Sequence, residues 1–520
     1  MNRLVPVRKG LIAPILTCFV FGMCGCAVKT KPAGRFTAEP PPKFSEGGNV
    51  PAPNEWWITF EDDGLNQQVE QMFSGSFTLA AAIQRINASR ALARRQASDL
   101  LPDVNIVASG SHTFGPGPDT KSYVWGLDSS YPVDLWGRIE SYVQAAQLRA
   151  SATQADYQAI ALALTADVAG TWFSLIEAHA QLALLENQIE TNQMGLMRQE
   201  ASFGLGQVRL PDVLRQRQLV ESTLEQSVVV KSRIEVLEHQ MAILLGQLPQ
   251  QATYATGRKL PELPPMPATG LPAELLKRRP DVRRDYLAFM AADRDLASAI
   301  SDQFPRLNLT GSLLNSARRS EDLFRDWFVS IGAQLVGPLF DGGQRRAEIA
   351  RTGAVVRQRF NEYGDTMLNA FREVEDSLAQ EKYQIERLKH LRAQSKFADQ
   401  AAELLLEQYY IGDADYLDVL SAITAEQRLQ RETLTAQLEL LLIRVSLYLA
   451  LAGGFDSQPT VTVEIEDLPQ GESLNVVPAL DAAELLAPDQ EPQPGPPDNS
   501  GDFEQLLKTV ERLPEIDLDE

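Results

Sequence analysis

Two stretches of this chain, Trp136 to about Phe203 and Gln344 to about Tyr410, contain no proline, and apolar residues recur in them at spacings of three and four (Ile160, Ala163, Leu164, Val168, Phe173, Ile176). A helix of about 65 residues reaches roughly 100 Å at 1.5 Å per residue. After the glycines at Gly206 and Gly412 a shorter helix returns, to about Leu245 and about Leu451. Such long uncapped patterns predict coiled-coil packing, with the many alanines allowing close approach.

The two stretches belong to a duplication. Ser98-Asp99-Leu100-Leu101-Pro102-Asp103-Val104-Asn105-Ile106 recurs as Ser301-Asp302-Gln303-Phe304-Pro305-Arg306-Leu307-Asn308-Leu309. Phe203-x-x-Gly206 followed by Asp212-Val213-Leu214 recurs as Tyr409-x-x-Gly412 followed by Asp418-Val419-Leu420. Both pairs are offset by roughly 200 residues, so one structural unit occurs twice.

Each unit also carries two strands. Val104, Ile106 and Ala108 alternate with Asn105 and Ser109; beyond the Gly115-Pro116-Gly117-Pro118 turn, Trp125, Leu127, Tyr131, Val133 and Leu135 share a face opposed by Gly126, Asp128, Ser130 and Asp134. The second unit repeats this with Leu307, Leu309 and Leu313, then Trp327, Val329, Ile331, Ala333 and Leu335. Period-two alternation predicts hairpins apolar on one face. The strands have the roughly 9 to 11 residues of a tilted membrane crossing, although a half-buried soluble hairpin has the same pattern. Four strands cannot close a bilayer-spanning barrel, which needs at least about eight, so in lipid several chains must pool them. A helix is expected from about Thr78 to Asp99, ending before Leu101-Pro102.

The first 25 residues read as a secretory signal: Arg3, Arg8 and Lys9, then an apolar run from Leu11 to Met23, then Gly25 and Cys26. The run is shorter than the about 20 residues of a spanning helix. Cys18, Cys24 and Cys26 are the three cysteines, so no disulfide is expected in the mature protein. Residues 26–53, rich in Pro, Gly and charge, read as a tether, and 54–248 as the first repeat. A Pro-rich linker follows at 249–270, then the second repeat at 271–454 and an acidic tail at 455–520. From Asp456 to Glu520 there are 17 acidic and 2 basic residues, so −15 of the net −21 sits in the tail and only −6 elsewhere. With no basic patch interleaved with aromatics, nucleic acid is not an expected partner.

Several motifs together identify a family. Leu276-Lys277-Arg278-Arg279-Pro280-Asp281-Val282-Arg283, Ala291-Ala292 with Leu296-Ala297, and Phe304-Pro305-x-Leu307-x-Leu309 resemble the TolC-like outer-membrane factors, in their lipoprotein (NodT-type) branch. Trp56-Trp57-x-x-Phe60, Asp134-Leu135-Trp136-Gly137-Arg138 and Pro338-Leu339-Phe340-Asp341-Gly342-Gly343 strengthen the likeness, which covers about residues 20 to 454. Gly25-Cys26-Ala27 is similar to a lipoprotein box with Cys26 acylated; Cys24 is the rival cleavage site, behind the large Met23.

The resemblance implies a mainly α fold with a membrane β-barrel, in which three copies pool about four strands each into a 12-stranded barrel above a 12-helix tunnel. It implies a homotrimer in the outer membrane of a Gram-negative bacterium, lipid-anchored and extending into the periplasm. Its expected role is the passive exit duct of a tripartite efflux system, working with a periplasmic adaptor and an inner-membrane transporter. The alternative on the same fold is the exit of a type I protein-secretion system. A pore-free periplasmic scaffold is the reading from another class, but it needs no Trp and Leu on the outward face of all four strands.

The same resemblance points to a gate at the helix tips, residues 204–214 and 409–420. Asp418 matches a gate aspartate of the family and Tyr409 a tyrosine that ties the closed helices. Asp212 is the first-unit counterpart of Asp418. Two family positions are changed, to Ala414 and Ser421, which leaves Asp413 or Asp415 to stand in. Three-fold symmetry makes any inward carboxylate a ring that favours cations; acids beside a glycine turn also serve as simple solvated caps. Gly206 and Gly412 are expected to supply positive-φ turns and the docking surface for the adaptor. No enzyme, cofactor or metal is expected. His112, His179, His239 and His390 are scattered, and Gly204-x-Gly206 lacks the third glycine of a dinucleotide loop.

Overall fold

A computed structural model of the chain describes residues 41–49, 53–116, 119–249, 254–255, 259–319, 322 and 324–451. All belong to the first of two units, residues 1–459; the leader, Cys26, most of the tether and the acidic tail lie outside the described residues.

Four strands, β1 (Asp103–Thr113), β2 (Thr120–Val133), β3 (Arg306–Ala317) and β4 (Trp327–Val336), form one antiparallel sheet in chain order. The β2–β3 pair, with Leu127 opposite Leu313 and Tyr131 opposite Leu309, fuses the hairpins of the two repeats. Register carries one apolar row across all four strands: Ile106, Leu127, Leu313 and Val329 lie side by side. The row one residue along reads Asn105, Asp128, Ser312 and Ser330, so the other face is polar. The apolar face is bare, with Ile331 89% and Ile106 81% exposed. Among the described residues β1 and β4 each keep one unpaired edge.

Leu135, expected to extend the apolar face of β2, lies beyond the strand, because the chain turns there to start a helix. The Asp134 carboxylate accepts the N–H groups of Arg138 and Glu140, both at 2.8 Å, while Gly137 takes φ 69°. The second repeat uses the same device. Asp341 accepts the N–H groups of Gly343 (3.0 Å) and Arg345 (3.3 Å), with Gly343 at φ 91°. These bonds satisfy orphan donors of the first helical turn, and the Gly343 N–H leads in holding the Asp341 carboxyl below its ordinary value.

The helices are α1 (Asp63–Gly75), α2 (Phe77–Ala97), α3 (Arg138–Gly204), α4 (Leu210–Leu244), α5 (Pro272–Arg278), α6 (Pro280–Ser301), α7 (Gln344–Ile411) and α8 (Tyr416–Leu451). The helix expected to reach Asp99 stops at Ala97, and Ser98–Leu100 tightens into a 3-10 turn. At 67 and 68 residues, α3 and α7 are each about 100 Å long. Helix α3 packs on α4 and α8, and α8 on α7, which gives the lateral order α4-α3-α8-α7. As in the sheet, the two outer members keep a free side. Helices α3 and α8 contain windows apolar enough to cross a bilayer, but 56% of each window is buried in protein.

The main core lies where the short elements pack on the long ones. Trp56 stacks on Tyr448 with centroids 5.6 Å apart, and Phe60 meets Phe173 at 5.0 Å. Residues 41–49, expected as part of a tether, are docked here. Phe44 is buried among Leu275, Val374, Leu378 and Leu447, and Glu46 pairs with Lys382 at 2.8 Å.

Two arginines fasten the linker and the opening of the second repeat. Arg444, buried on α8, grips Glu381 of α7 through Nε–Oε2 (2.8 Å) and Nη2–Oε1 (2.5 Å), and donates to the carbonyls of Pro265 (3.0 Å) and Pro264. Arg279 holds Asp281 (2.6 Å), Glu373 (2.7 Å) and the Ala450 carbonyl (3.3 Å). The Arg279-Pro280-Asp281 motif is therefore a joint between the start of α6 and the end of α8. Removing one partner of a buried ion pair destabilises by about 3–5 kcal/mol. Glu381→Gln should show a loss of that size in thermal or denaturant unfolding. The Glu381→Leu/Arg444→Met double variant should recover only part of it, since Pro264 and Pro265 lose their donor.

Burial, the largest influence on Asp281, opposes its ionisation, but the bonds from Arg279 and the Val282 N–H outweigh it and hold the carboxyl below its ordinary 3.8. This stabilisation is complete above the unfolded value and is lost as pH falls through the folded one. Unfolding followed against pH should therefore show a shallower acid limb in Asp281→Asn than in the parent chain.

Candidate functional site at the helical tips

Helix α3 turns into α4, and α7 into α8, through one glycine each. Gly206 (φ 71°) donates to Phe203 O at 2.9 Å and Gly412 (φ 84°) to Tyr409 O at 3.1 Å. A Cβ on either glycine meets nothing within 4 Å, so these glycines serve the left-handed turn and not close packing. Pro211 then starts α4 in its first turn, where a missing N–H is harmless.

The acidic residues of the tip divide into two kinds. Asp413, Asp415 and Asp418 are exposed. Asp212 is buried and accepts from Arg209 Nε (3.3 Å) and Arg215 Nη1 (3.1 Å). Equivalent positions of the two repeats thus have different surroundings: Asp418 faces water, whereas Asp212 organises its own turn. Arg209 also reaches Asp415 of the other hairpin, Nη2 to Oδ1, at 3.6 Å. Both partners are mostly exposed, so this pair is worth at most about 1 kcal/mol by itself.

Three tyrosines join the hairpins more closely. Gln199 Nε2 donates to Tyr409 Oη at 3.2 Å, and Tyr416 Oη donates to Gln216 Oε1 at 2.6 Å. Arg198 lies over the Tyr410 ring, 5.0 Å from its centroid, and donates to its hydroxyl. The Tyr409 and Tyr416 rings meet at 5.3 Å. Burial first, then the charges of Tyr409 and Asp212, push the Tyr416 hydroxyl up to about 12, so it stays protonated and donating. Between the hairpins lies a cavity of about 550 Å³ lined by Arg198, Gln199, Gln216, Tyr409, Tyr410 and Tyr416, among others.

The structure therefore brings Tyr409, Asp415, Asp212 and both glycines into one cluster, while Asp413 and Asp418 stand at its rim. Arg198, Gln199, Arg209 and Gln216 were not singled out from the sequence, although they supply the partners of those tyrosines and acids. Among the described residues no group of three or more His, Cys, Asp or Glu is placed to hold a metal ion.

The family described as Outer membrane efflux protein matches residues 69–247 and 271–453. The pyoverdine export outer membrane protein OpmQ of Pseudomonas aeruginosa is 27% identical over 459 residues, 85% of this chain and 96% of that one. Nodulation protein T of Rhizobium leguminosarum bv. trifolii is 26% identical over 440 residues, 80% and 92% of the two chains. Among solved structures, the outer-membrane channel OprN superposes with a TM-score of 0.75 at 28% identity, covering 81% of this chain and 99% of that one.

Proposed function

The chain belongs to the outer membrane efflux protein family and is the outer-membrane channel of an efflux system; from that premise we propose that three copies assemble into one duct, closed at the helical tips until a pump complex docks. The observation that carries the proposal is the sheet: four strands of membrane-crossing length, a bare apolar face and two unpaired edges. In a bilayer every backbone donor and acceptor needs a partner, so β4 of one copy pairs with β1 of the next until the ring closes. Three copies give the 12 strands that the family resemblance implies.

The helices offer the matching half of the argument. The free side of α7 carries exposed Tyr383, Phe397, Leu404 and Ile411 in heptad steps, and that of α4 carries exposed Val229, Val236 and Ile243. Counted from the tip at about 1.5 Å per residue, Tyr383 and Val236 both stand about 40 Å up. Two apolar stripes at one height on opposite edges form a coiled-coil seam between neighbouring copies.

At the tip, Tyr409, with Asp415 and Asp212 bridged by Arg209, ties the hairpins in the closed state. Asp418 and Asp413 supply rings of three carboxylates that favour cations, and the Gly206 and Gly412 turns receive the periplasmic adaptor. Acylated Cys26 anchors the chain, and an inner-membrane transporter drives small molecules through it.

The deciding measurement is a pull-down from cross-linked cells with mass spectrometry of the partners, joined to a native mass spectrum of the purified protein. An adaptor with a proton-driven transporter is expected, along with a trimer of chains starting at an acylated Cys26; an ATP-driven exporter in its place would convert the reading to protein secretion. Val236→Lys, which sets a charge in the stripe of α4, should shift the native spectrum from trimer towards single chains.

A further inference from the structure

The two hairpins meet along α3 and α8, and this seam changes chemistry partway down. In its upper length Val168, Trp172, Leu175 and Ile176 share a buried cluster with Leu438, Leu441, Val445 and Tyr448. Towards the tip, the same face of α3 continues at steps of four and three as Gln181, Leu185, Gln188, Asn192, Gly195 and Gln199. The four amides among these are buried.

Their partners lie mostly on the other hairpin. Gln181 Nε2 donates to Arg431 O (2.8 Å) and Gln188 Nε2 to Gln430 Oε1 (2.8 Å). Asn192 and Gln427 exchange bonds in both directions, at 3.2 and 2.9 Å. The α3–α4 contact is polar over the same length: Gln216 donates to Asn192 O (2.7 Å) and Asn192 to Thr223 (3.0 Å), whereas Ile234 and Met241 higher up belong to the apolar cluster. None of these amides keeps a buried unpaired nitrogen or oxygen. The α7–α8 contact differs, since Leu388 and Leu391 pack there with Leu429, Ala436 and Leu440.

Separating an apolar seam exposes surface at about 25 cal/mol per Å². An amide seam separates on other terms, because each group exchanges one partner for another amide or for water, and a net hydrogen bond is worth only about 0.5–1.5 kcal/mol. Buried amides still fix register while closed, as polar residues at coiled-coil core positions do.

We propose that the change of seam, at Glu177–Gln181 on α3 and Thr435–Leu438 on α8, is the hinge of tip opening. Below it the α7–α8 hairpin, held together by its own apolar contact, swings from the α3–α4 hairpin by amide exchange while the upper seam stays shut. The arm from Gln181 to Gly204 is about 35 Å, so a swing of about 10° carries the tip about 6 Å. The inference rests on the reading of the tip as a gate.

The test is single-channel conductance of the full-length protein in planar bilayers. In an Arg209→Ala/Asp415→Ala background, higher conductance than the parent shows that the tip gates; unchanged conductance overturns the gate and the hinge together. Gln188→Cys/Gln430→Cys is then added and bridged by a short bis-methanethiosulfonate cross-linker. The chain's own three cysteines all lie within residues 18–26, away from the seam. The hinge requires conductance to fall back by several-fold on cross-linking and to return with reductant. A bridged channel as conductive as the unbridged one would overturn the hinge while leaving the gate standing. A second variant, Gln188→Leu/Asn192→Leu/Gln427→Leu, should keep or raise the thermal midpoint and lower the open fraction; an undiminished open fraction in the folded protein counts against the hinge.

Discussion

Unpaired backbone at two edges governs this molecule. The sheet ends on β1 and β4 with open rows of N–H and C=O groups, and its apolar face is bare. Neither feature is stable in a lone chain, and in hydrocarbon each unmet group costs several kcal/mol. The helices repeat the condition with α4 and α7 as free flanks. Sheet and helices being open on the same outer members of each repeat, a single closure completes both, and the channel exists only as an assembly.

Within one chain, the parts that must not move are held by buried charge and the parts that move by amides. Arg444 and Glu381 lie deep between α7 and α8, and the same guanidinium binds two proline carbonyls of the linker. Pairs of this kind contribute little net stability over an apolar filling but penalise any departure from their geometry. Further down, Gln188, Asn192 and Gln427 have neutral partners that are exchangeable. The gradient from guanidinium clamp to amide seam to exposed ion pair at Arg209 and Asp415 runs from the belt to the tip.

Much of the fold was legible because it is periodic. The long helices stood out through absent proline and spacings of three and four, and the strands through alternation that the register then preserved, Leu127 beside Leu313. Leu135 misled because alternation continued past the strand end, where Asp134 had already turned to cap α3. Residues 41–49 have a tether's composition, but one aromatic residue, Phe44, with a socket on α7 and α8 suffices to dock them. At the tip, glycines and acids were visible as a motif, whereas their partners were not. Gln199 and Gln216 are identified only by the residues opposite them, which lie some 200 positions away in sequence. A signal for the seam did exist: Gln188, Asn192 and Gln199 interrupt the apolar face of α3 at core spacing.

The capping carboxylates Asp134 and Asp341 set how the chain leaves the sheet. Each binds main-chain N–H groups, so the bend from strand to helix does not depend on which side chains later cover the helix. The helix surfaces of the two repeats were therefore free to diverge in evolution without altering the slope at which either one departs. With two such bends per chain, a three-chain ring has six equivalent corners, and a wall of three-fold origin approaches six-fold roundness where the barrel meets the tunnel.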